Sequence, residues 1–191
     1  MSDEATLAAL NYRLRATAEQ EGLLDVAYRT IDTPIGQMLL AATDAGLVRV
    51  AFATEGLDEV LQQLADQVSP RVLLAPRRLD TAASQLDHYF AGDQATFDIP
   101  LDWQLSAGFR REALRQLQQI GYGTTQSYAQ VAAATSSPRA VRAVGTACAT
   151  NPLPIVVPCH RVTKSDGTRG NYRGGIAAKD FLLDLESPAA P

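Results

Sequence analysis

The sequence predicts an α/β (α+β) chain built as two domains, and three observations carry that reading. Apolar runs rich in β-branched residues alternate with tight-turn signals over residues 26–52. Helical periodicity takes over after residue 103. At the same point the charge changes sign. Residues 103–175 hold nine Lys/Arg against only Glu112 and Asp166, a net of +7 in a chain whose total is -4.

The elements follow in order. Residues 1–25 read as an N-terminal helical extension, with Leu7, Leu10, Leu14 and Ala18 near helical spacing. The first domain, 26–102, opens with Val26–Ile31, Met38–Ala42 and Leu47–Phe52. These are separated by Thr33-Pro34-Ile35-Gly36 and Asp44-Ala45-Gly46, which predicts three antiparallel strands. Helical patterns occupy 57–68 and 79–90, and Phe97–Leu101 is a candidate for one more strand. The second domain, 103–191, is mainly helical. Ser106 is placed to cap a helix ending at Gly121-Tyr122-Gly123, and a short helix spans Gln126–Ala134. Ser137 then caps and Pro138 opens a helix to about Thr150. Two short helices joined by a tight turn have helix-turn-helix form. The second carries Arg139 and Arg142 among the small residues Ala140, Ala143, Gly145, Ala147 and Ala149. A last helix runs from Ile176 to about Glu186.

Composition removes several function classes. No apolar stretch approaches the roughly 20 residues of a membrane span, and the acidic start Met1-Ser2-Asp3-Glu4 lacks the pattern of a secretory signal. Two cysteines, Cys148 and Cys159, are too few for a disulfide framework, and no CxxC spacing suggests a metal site. A reducing, cytoplasmic setting follows. The overall acidity argues against a nucleic-acid partner, whereas the local basic field argues for one.

The chemistry concentrates at Pro158-Cys159-His160-Arg161, behind the apolar run Ile155-Val156-Val157. Only the thiolate of a cysteine is a strong nucleophile, and an unperturbed thiol has a pKa of about 8.5. An adjacent imidazole, a nearby arginine and oriented backbone donors are expected to lower that value at Cys159.

The stretch from Tyr122 to Glu186 resembles the O6-alkylguanine-DNA alkyltransferases, or methylated-DNA–protein-cysteine methyltransferases. The matching residues are Ser127-Tyr128, Pro138 to Gly145, Asn151-Pro152, Ile155 to Val162, Asn171 to Gly175 and Leu182 to Glu186. Several ordered matches over about a third of the chain outweigh any single short motif. The N-terminal half is similar to the family only in outline, through Thr33 to Gly36 and Gln85 to Gly92. The resemblance implies an RNase H-like antiparallel sheet with helices, followed by a winged-helix-like domain with the helix-turn-helix.

It also implies a reaction: irreversible, single-turnover transfer of an alkyl group from O6-alkylguanine, and by the same resemblance O4-alkylthymine, in double-stranded DNA. The base must leave the stack before a nucleophile reaches it. By resemblance Cys159 is the acceptor, His160 takes its proton through a water, and Glu186 orients and charges His160. Tyr128 supplies a proton to the leaving base, and Asn151 bonds near the nucleophile while also serving as an Asn-Pro helix stop. Arg142 fills the gap left by the flipped nucleotide. Arg139, Ser127, Ala140, Ala143 and Gly145 meet the DNA. Tyr172, Val162, Arg173 and Pro154 line the substrate pocket, and Cys148 either borders it or is structural. No cofactor and no metal are expected; the N-terminal half has no Cys and only His88. A monomer is expected, with cooperative assembly on DNA left open.

Two departures from the family pattern stand out. The loop 164–173 carries extra charge at Arg169 and Arg173, serving either phosphate binding or the pocket rim, and residues 1–25 have no counterpart. Three alternatives remain distinguishable. Cys159 argues against a lesion binder that lacks an acceptor, and the absence of a cysteine-rich sensor argues against a regulator. A thiol hydrolase would leave the arginine-bearing helix unexplained.

Overall fold

The computed structural model describes residues 24–187, together with Thr6, Leu10 and Thr17. Those three positions are helical; the rest of the helix expected over 1–25 lies outside the described residues. The three predicted strands form as β1 (Val26–Thr33), β2 (Gly36–Thr43) and β3 (Gly46–Phe52), joined antiparallel. Helix α1 (Leu57–Gln67) crosses to a fourth strand, β4 (Val72–Leu74), which pairs parallel to β1. The sheet order is therefore β3-β2-β1-β4 and the sheet is mixed, a correction to the purely antiparallel expectation. Three residues are too few to show a period of two, so β4 carried no sequence signal.

Both faces of this sheet are covered, which is why its strands read as nearly continuous apolar runs. Leu39, Ala41 and Val48 pack with Val60 and Leu64 of α1 on one side. Met38, Leu40 and Val50 face the other way, towards Leu86 and Tyr89 of α2 (Asp80–Phe90) and onward into the C-terminal half. The expected strand at Phe97–Leu101 is absent. Only Leu101 bridges to Leu47, because Pro100 has no N–H to continue a ladder.

The C-terminal half contains α3 (Gly108–Leu117), α4 (Tyr128–Ala133), α5 (Val141–Ala149) and α6 (Ile176–Leu185). Two short parallel strands, β5 (Gln126–Ser127) and β6 (Val162–Thr163), tie the start of α4 to the segment after Cys159. Ser127 caps α4 reciprocally with Gln130, the arrangement of a capping box. Two predicted caps are corrected. Ser106 is buried and its hydroxyl makes no hydrogen bond among the described residues, while its carbonyl accepts from Arg111. Ser137 and Pro138 open a turn closed by the Ala140 N–H to the Ser137 carbonyl, and the helix starts at Val141.

Gly46 shows how tightly the segment before α3 is laid onto the sheet. The N–H of Leu47 donates to the Pro100 carbonyl at 2.8 Å, and the N–H of Asp102 to the Leu47 carbonyl at 2.9 Å. Gly46 has φ +135°, and a Cβ there would lie 2.2 Å from the Pro100 oxygen. Gly46→Ala is expected to cost on the order of 3 kcal/mol, through backbone strain and a steric clash. Urea unfolding at neutral pH measures it.

Candidate active site

Helix α5 ends at Asn151-Pro152, and the chain then turns through Leu153–Pro158 to deliver Cys159 in a single 3₁₀ turn, Cys159–Arg161. Ile155 sits in the left-handed region at φ 73°, unfavourable for a β-branched residue. Asn151 holds the bend. Its side-chain oxygen accepts from the Leu153 N–H at 3.0 Å, and its amide donates to the Val157 carbonyl at 2.9 Å. The same amide donates to Cys159 Sγ at 3.2 Å. Asn151 thus shapes the loop and touches the sulfur with one buried side chain.

His160 and Arg161 both engage Glu186, the residue capping the end of α6. His160 Nε2 lies 2.9 Å from Glu186 Oε1, and Arg161 grips both carboxylate oxygens through Nε and Nη2 at 2.8 Å each. Arg161 Nη1 also donates to the Ile120 carbonyl at 2.5 Å. The hydroxyl of Tyr89, from the N-terminal half, donates to Glu186 Oε1 at 2.6 Å, and the Gly123 N–H reaches Oε2 at 3.4 Å. Burial opposes the charge on Glu186, but these bonds from His160 and Arg161 outweigh it and hold the carboxyl at about 2. Burial keeps His160 neutral by lowering its pKa, against the pull of Glu186. Its Nδ1 is buried and has no hydrogen-bond partner among the described residues.

The expectation of a lowered thiol pKa is corrected. Cys159 is only 3% exposed, and burial pushes its thiol up to about 11. Asn151 and the ammonium of Lys179 oppose that rise. Arg161 is committed to Glu186, so the neighbour expected to activate the sulfur serves the carboxylate instead. Lys179, which sequence reasoning missed, is fully buried on α6, with Nζ donating to the Val162 carbonyl at 2.7 Å. Its spacing from Leu182 and Glu186 places all three on one helical stripe, the single sequence signal for it. Tyr89 was missed for a simpler reason, since it lies in a half of the chain with no visible chemistry.

The remaining predicted residues fall as follows. The Tyr128 ring lies against Gly170 of the loop before β-free residues 171–175, and burial raises its hydroxyl pKa. Tyr128, Cys148, Gly145, Gly170 and Asn171 line a shared cavity of about 340 Å³. Burial raises the Cys148 thiol well above the ordinary range. Tyr172 stands edge-on to His160 with ring centres 6.3 Å apart, and its hydroxyl is buried without a hydrogen-bond partner among the described residues. Val162 is buried, with its carbonyl taken by Lys179, and Pro154 is buried in the loop preceding Cys159. Arg139, in the turn before α5, and Arg142, in its first turn, are exposed, while Ala140, Ala143 and Gly145 are partly exposed; Ser127 caps α4.

The basic field is smaller on the surface than in the sequence. Arg161 pairs with Glu186, Arg169 with Asp180 and Asp184, and Arg173 with Glu55. Arg110 and Arg111 bond backbone carbonyls, and Arg115 lies over Trp103. Of the nine, Arg139, Arg142 and Lys164 make no such contact among the described residues and stay exposed.

A buried thiol next to a His–Glu pair, set behind a helix-turn-helix with an exposed arginine, defines a DNA-associated cysteine protein. Comparison with known proteins makes the assignment specific. Residues 26–103 match the ribonuclease-like domain of 6-O-methylguanine DNA methyltransferase, and residues 108–188 match its DNA-binding domain. The methylated-DNA–protein-cysteine methyltransferase of Mycolicibacterium paratuberculosis is 39% identical over 166 residues, covering 87% of this chain and 95% of its own. The constitutive enzyme of that name from Bacillus subtilis is 37% identical over 163 residues, covering 83% and 94%. The crystal structure of Mycobacterium tuberculosis O6-methylguanine methyltransferase superposes with a TM-score of 0.75 at 36% identity, covering 87% and 95%. That of Mycobacterium tuberculosis OGT in complex with DNA gives 0.71 at 37%, covering 85% and 96%. The chain belongs to the 6-O-methylguanine DNA methyltransferase family.

The buried carboxylate predicts a pH response. A folded-state pKa near 2 against 4.5 unfolded means that Glu186 adds stability above pH 4.5 and loses it as pH falls towards 2. The loss across that window is expected to be about 3 kcal/mol. Glu186→Gln is expected to be less stable at pH 7 and to lack this acid slope, as measured by thermal melts from pH 7 to pH 2.

Proposed function

We propose that this protein repairs alkylated DNA directly, moving the alkyl group from O6 of guanine in duplex DNA onto Cys159. The observation that carries the reading is the Asn151 amide bonded to Cys159 Sγ, with His160 and Glu186 paired beside it. This supplies nucleophile, base and orienter within one buried cluster.

The lesion enters by base flipping. Arg142, exposed on α5, slides into the duplex and takes the place of the extruded nucleotide, for which a planar guanidinium is suited. Arg139 meets phosphate, and the small residues Ala140, Ala143 and Gly145 let the helix approach the groove closely, beside Ser127 at the start of α4. The flipped base occupies the cavity lined by Tyr128, Cys148, Gly170 and Asn171, and by the family resemblance Tyr172, Pro154 and the backbone of Arg173 complete the base site. The Val162 carbonyl, engaged by Lys179, has a second lone pair for the base amine.

Because burial holds Cys159 as a thiol at neutral pH, deprotonation belongs to the reaction itself. The Nδ1 of neutral His160 takes the thiol proton through a water, and Glu186 stabilises the imidazolium that forms. Lys179 stabilises the developing thiolate. The sulfur then bonds to the alkyl carbon as the carbon–O6 bond breaks, and the electron pair passes to the guanine ring. Tyr128 protonates that ring; burial keeps its hydroxyl protonated until then. The product is a thioether, which ordinary thiol chemistry does not reverse, so each molecule acts once. O4-alkylthymine presents the same carbon–oxygen bond. The protein works as a monomer in the cytoplasm.

Incubation with a duplex containing O6-methylguanine is expected to add one methyl group to Cys159, detected by mass spectrometry, in equimolar amount to the lesion removed. Cys159→Ser gains none. Continued lesion removal at large DNA excess would contradict the reading. Arg142→Ala is expected to slow repair of duplex DNA by about tenfold or more, while reaction with free O6-benzylguanine changes little. Equal losses on both substrates would remove the flipping role.

A further inference from the structure

A second part of the N-terminal half, besides Tyr89, reaches the site. Strand β3 is an edge strand of its sheet, and it ends in a 3₁₀ turn, Ala53–Glu55. Three consecutive residues of the pocket loop settle on this corner. Tyr172 meets the Phe52 ring edge-on, with centres 5.6 Å apart. Arg173 Nε binds Glu55 Oε2 at 2.5 Å. Gly174 lies so close to Phe52 that a Cβ would approach the ring to 2.8 Å. Glu55 is itself fixed, since Oε1 accepts the Phe52 N–H at 3.0 Å and Oε2 pairs with Arg49. Arg49 in turn donates to the Pro152 carbonyl at 3.2 Å, and the Val50 N–H donates to the same oxygen at 2.8 Å. The corner therefore holds both Pro152, next to the Asn151 that touches sulfur, and the loop carrying Tyr172.

We propose that Glu55 is a positioning residue for the alkyl pocket: through Arg173 it fixes Tyr172 against His160 and limits the size of alkyl group that reaches Cys159. The proposal rests on the alkyl-transfer reading above. A carboxylate holding two guanidiniums at a nearly buried site defines one geometry, because its alternatives leave a buried cation unpaired. With the strut intact the loop stays close and a methyl group is pressed towards the sulfur. With it broken, Tyr172 gains freedom, so small groups lose alignment while bulky groups gain room.

The test compares duplex oligonucleotides carrying O6-methylguanine or O6-benzylguanine, using the full chain and single-turnover rate constants. Arg173→Gln leaves the Arg49–Glu55 pair intact, so it decides the matter even where Glu55→Gln folds poorly. In both variants methyl transfer is expected to fall by about fivefold and benzyl transfer by less than about twofold. Affinity for unmodified duplex is expected to be unchanged, and Arg173→Lys is expected to restore much of the native ratio. Asp25→Asn, which breaks the exposed Arg71–Asp25 pair elsewhere in this half, is expected to leave the ratio alone. A native-like benzyl-to-methyl ratio in Arg173→Gln overturns the assignment, as does an equal shift in Asp25→Asn. Failure of the native chain to methylate Cys159 is a separate result that removes the alkyl-transfer reading itself.

Discussion

Everything around the thiol depends on one buried carboxylate. Glu186 caps the C-terminal end of the final described helix, and it gathers donors from His160, Arg161, Tyr89 and Gly123. Those donors come from the cysteine turn, the second helix of the N-terminal half and the turn after α3, so one pair of oxygens fixes three segments distant in sequence. A carboxylate alone in such a place would be intolerable; satisfied on all sides it remains ionised. The arrangement is demanding because removing any charged partner leaves an uncompensated ion, which typically costs about 3–5 kcal/mol. Stability and chemistry therefore share the same atoms.

That sharing explains the state of Cys159. Dry surroundings suit alkyl transfer, since a solvated thiolate would have to shed water before attack. They also disfavour the thiolate, which is why the thiol pKa lies near 11. The Asn151 amide and the Lys179 ammonium are the opposing forces, and neither is a base. A sulfur so placed takes negative charge only while a proton acceptor is at hand; in the proposed reaction that acceptor is neutral His160, whose Nδ1 has no partner among the described residues. The strained left-handed Ile155 belongs to the same design, because the turn through Leu153–Pro158 brings the sulfur to the Asn151 amide.

Much of this was legible in the sequence, in proportion to how local the signal was. The strands β1 to β3, the helix bearing Arg142 and the Cys159 turn announce themselves through turn residues and motifs within a few positions of each other. The cap that forms, Ser127 with Gln130, was not among those read from the sequence, whereas Ser106 and Ser137 show that a serine before an apolar run is only a candidate. The three-residue β4 had no period to read. Lys179, Tyr89 and Glu55 lie in ordinary amphipathic or turn sequence, and their importance comes from partners about 20 to 120 positions away. Charge was the most misleading local signal. The basic segment is real, but Arg161, Arg169 and Arg173 are spent on carboxylates inside the protein.

The spent arginines change what the N-terminal half is for. Its sequence shows no chemistry, yet Tyr89 donates to the orienting carboxylate and Glu55 binds the arginine of the pocket loop. Both contacts are buried or nearly so, which makes them strong in a way that exposed ion pairs are not. A domain that merely shielded the back of the site would need only apolar contact, as the shared core already provides. Directed polar contacts at two separate points fix orientation as well as proximity, because a hydrogen bond is lost over a displacement that an apolar contact tolerates. On the proposed reading, the half of the chain without the acceptor thiol therefore sets the geometry in which that thiol works.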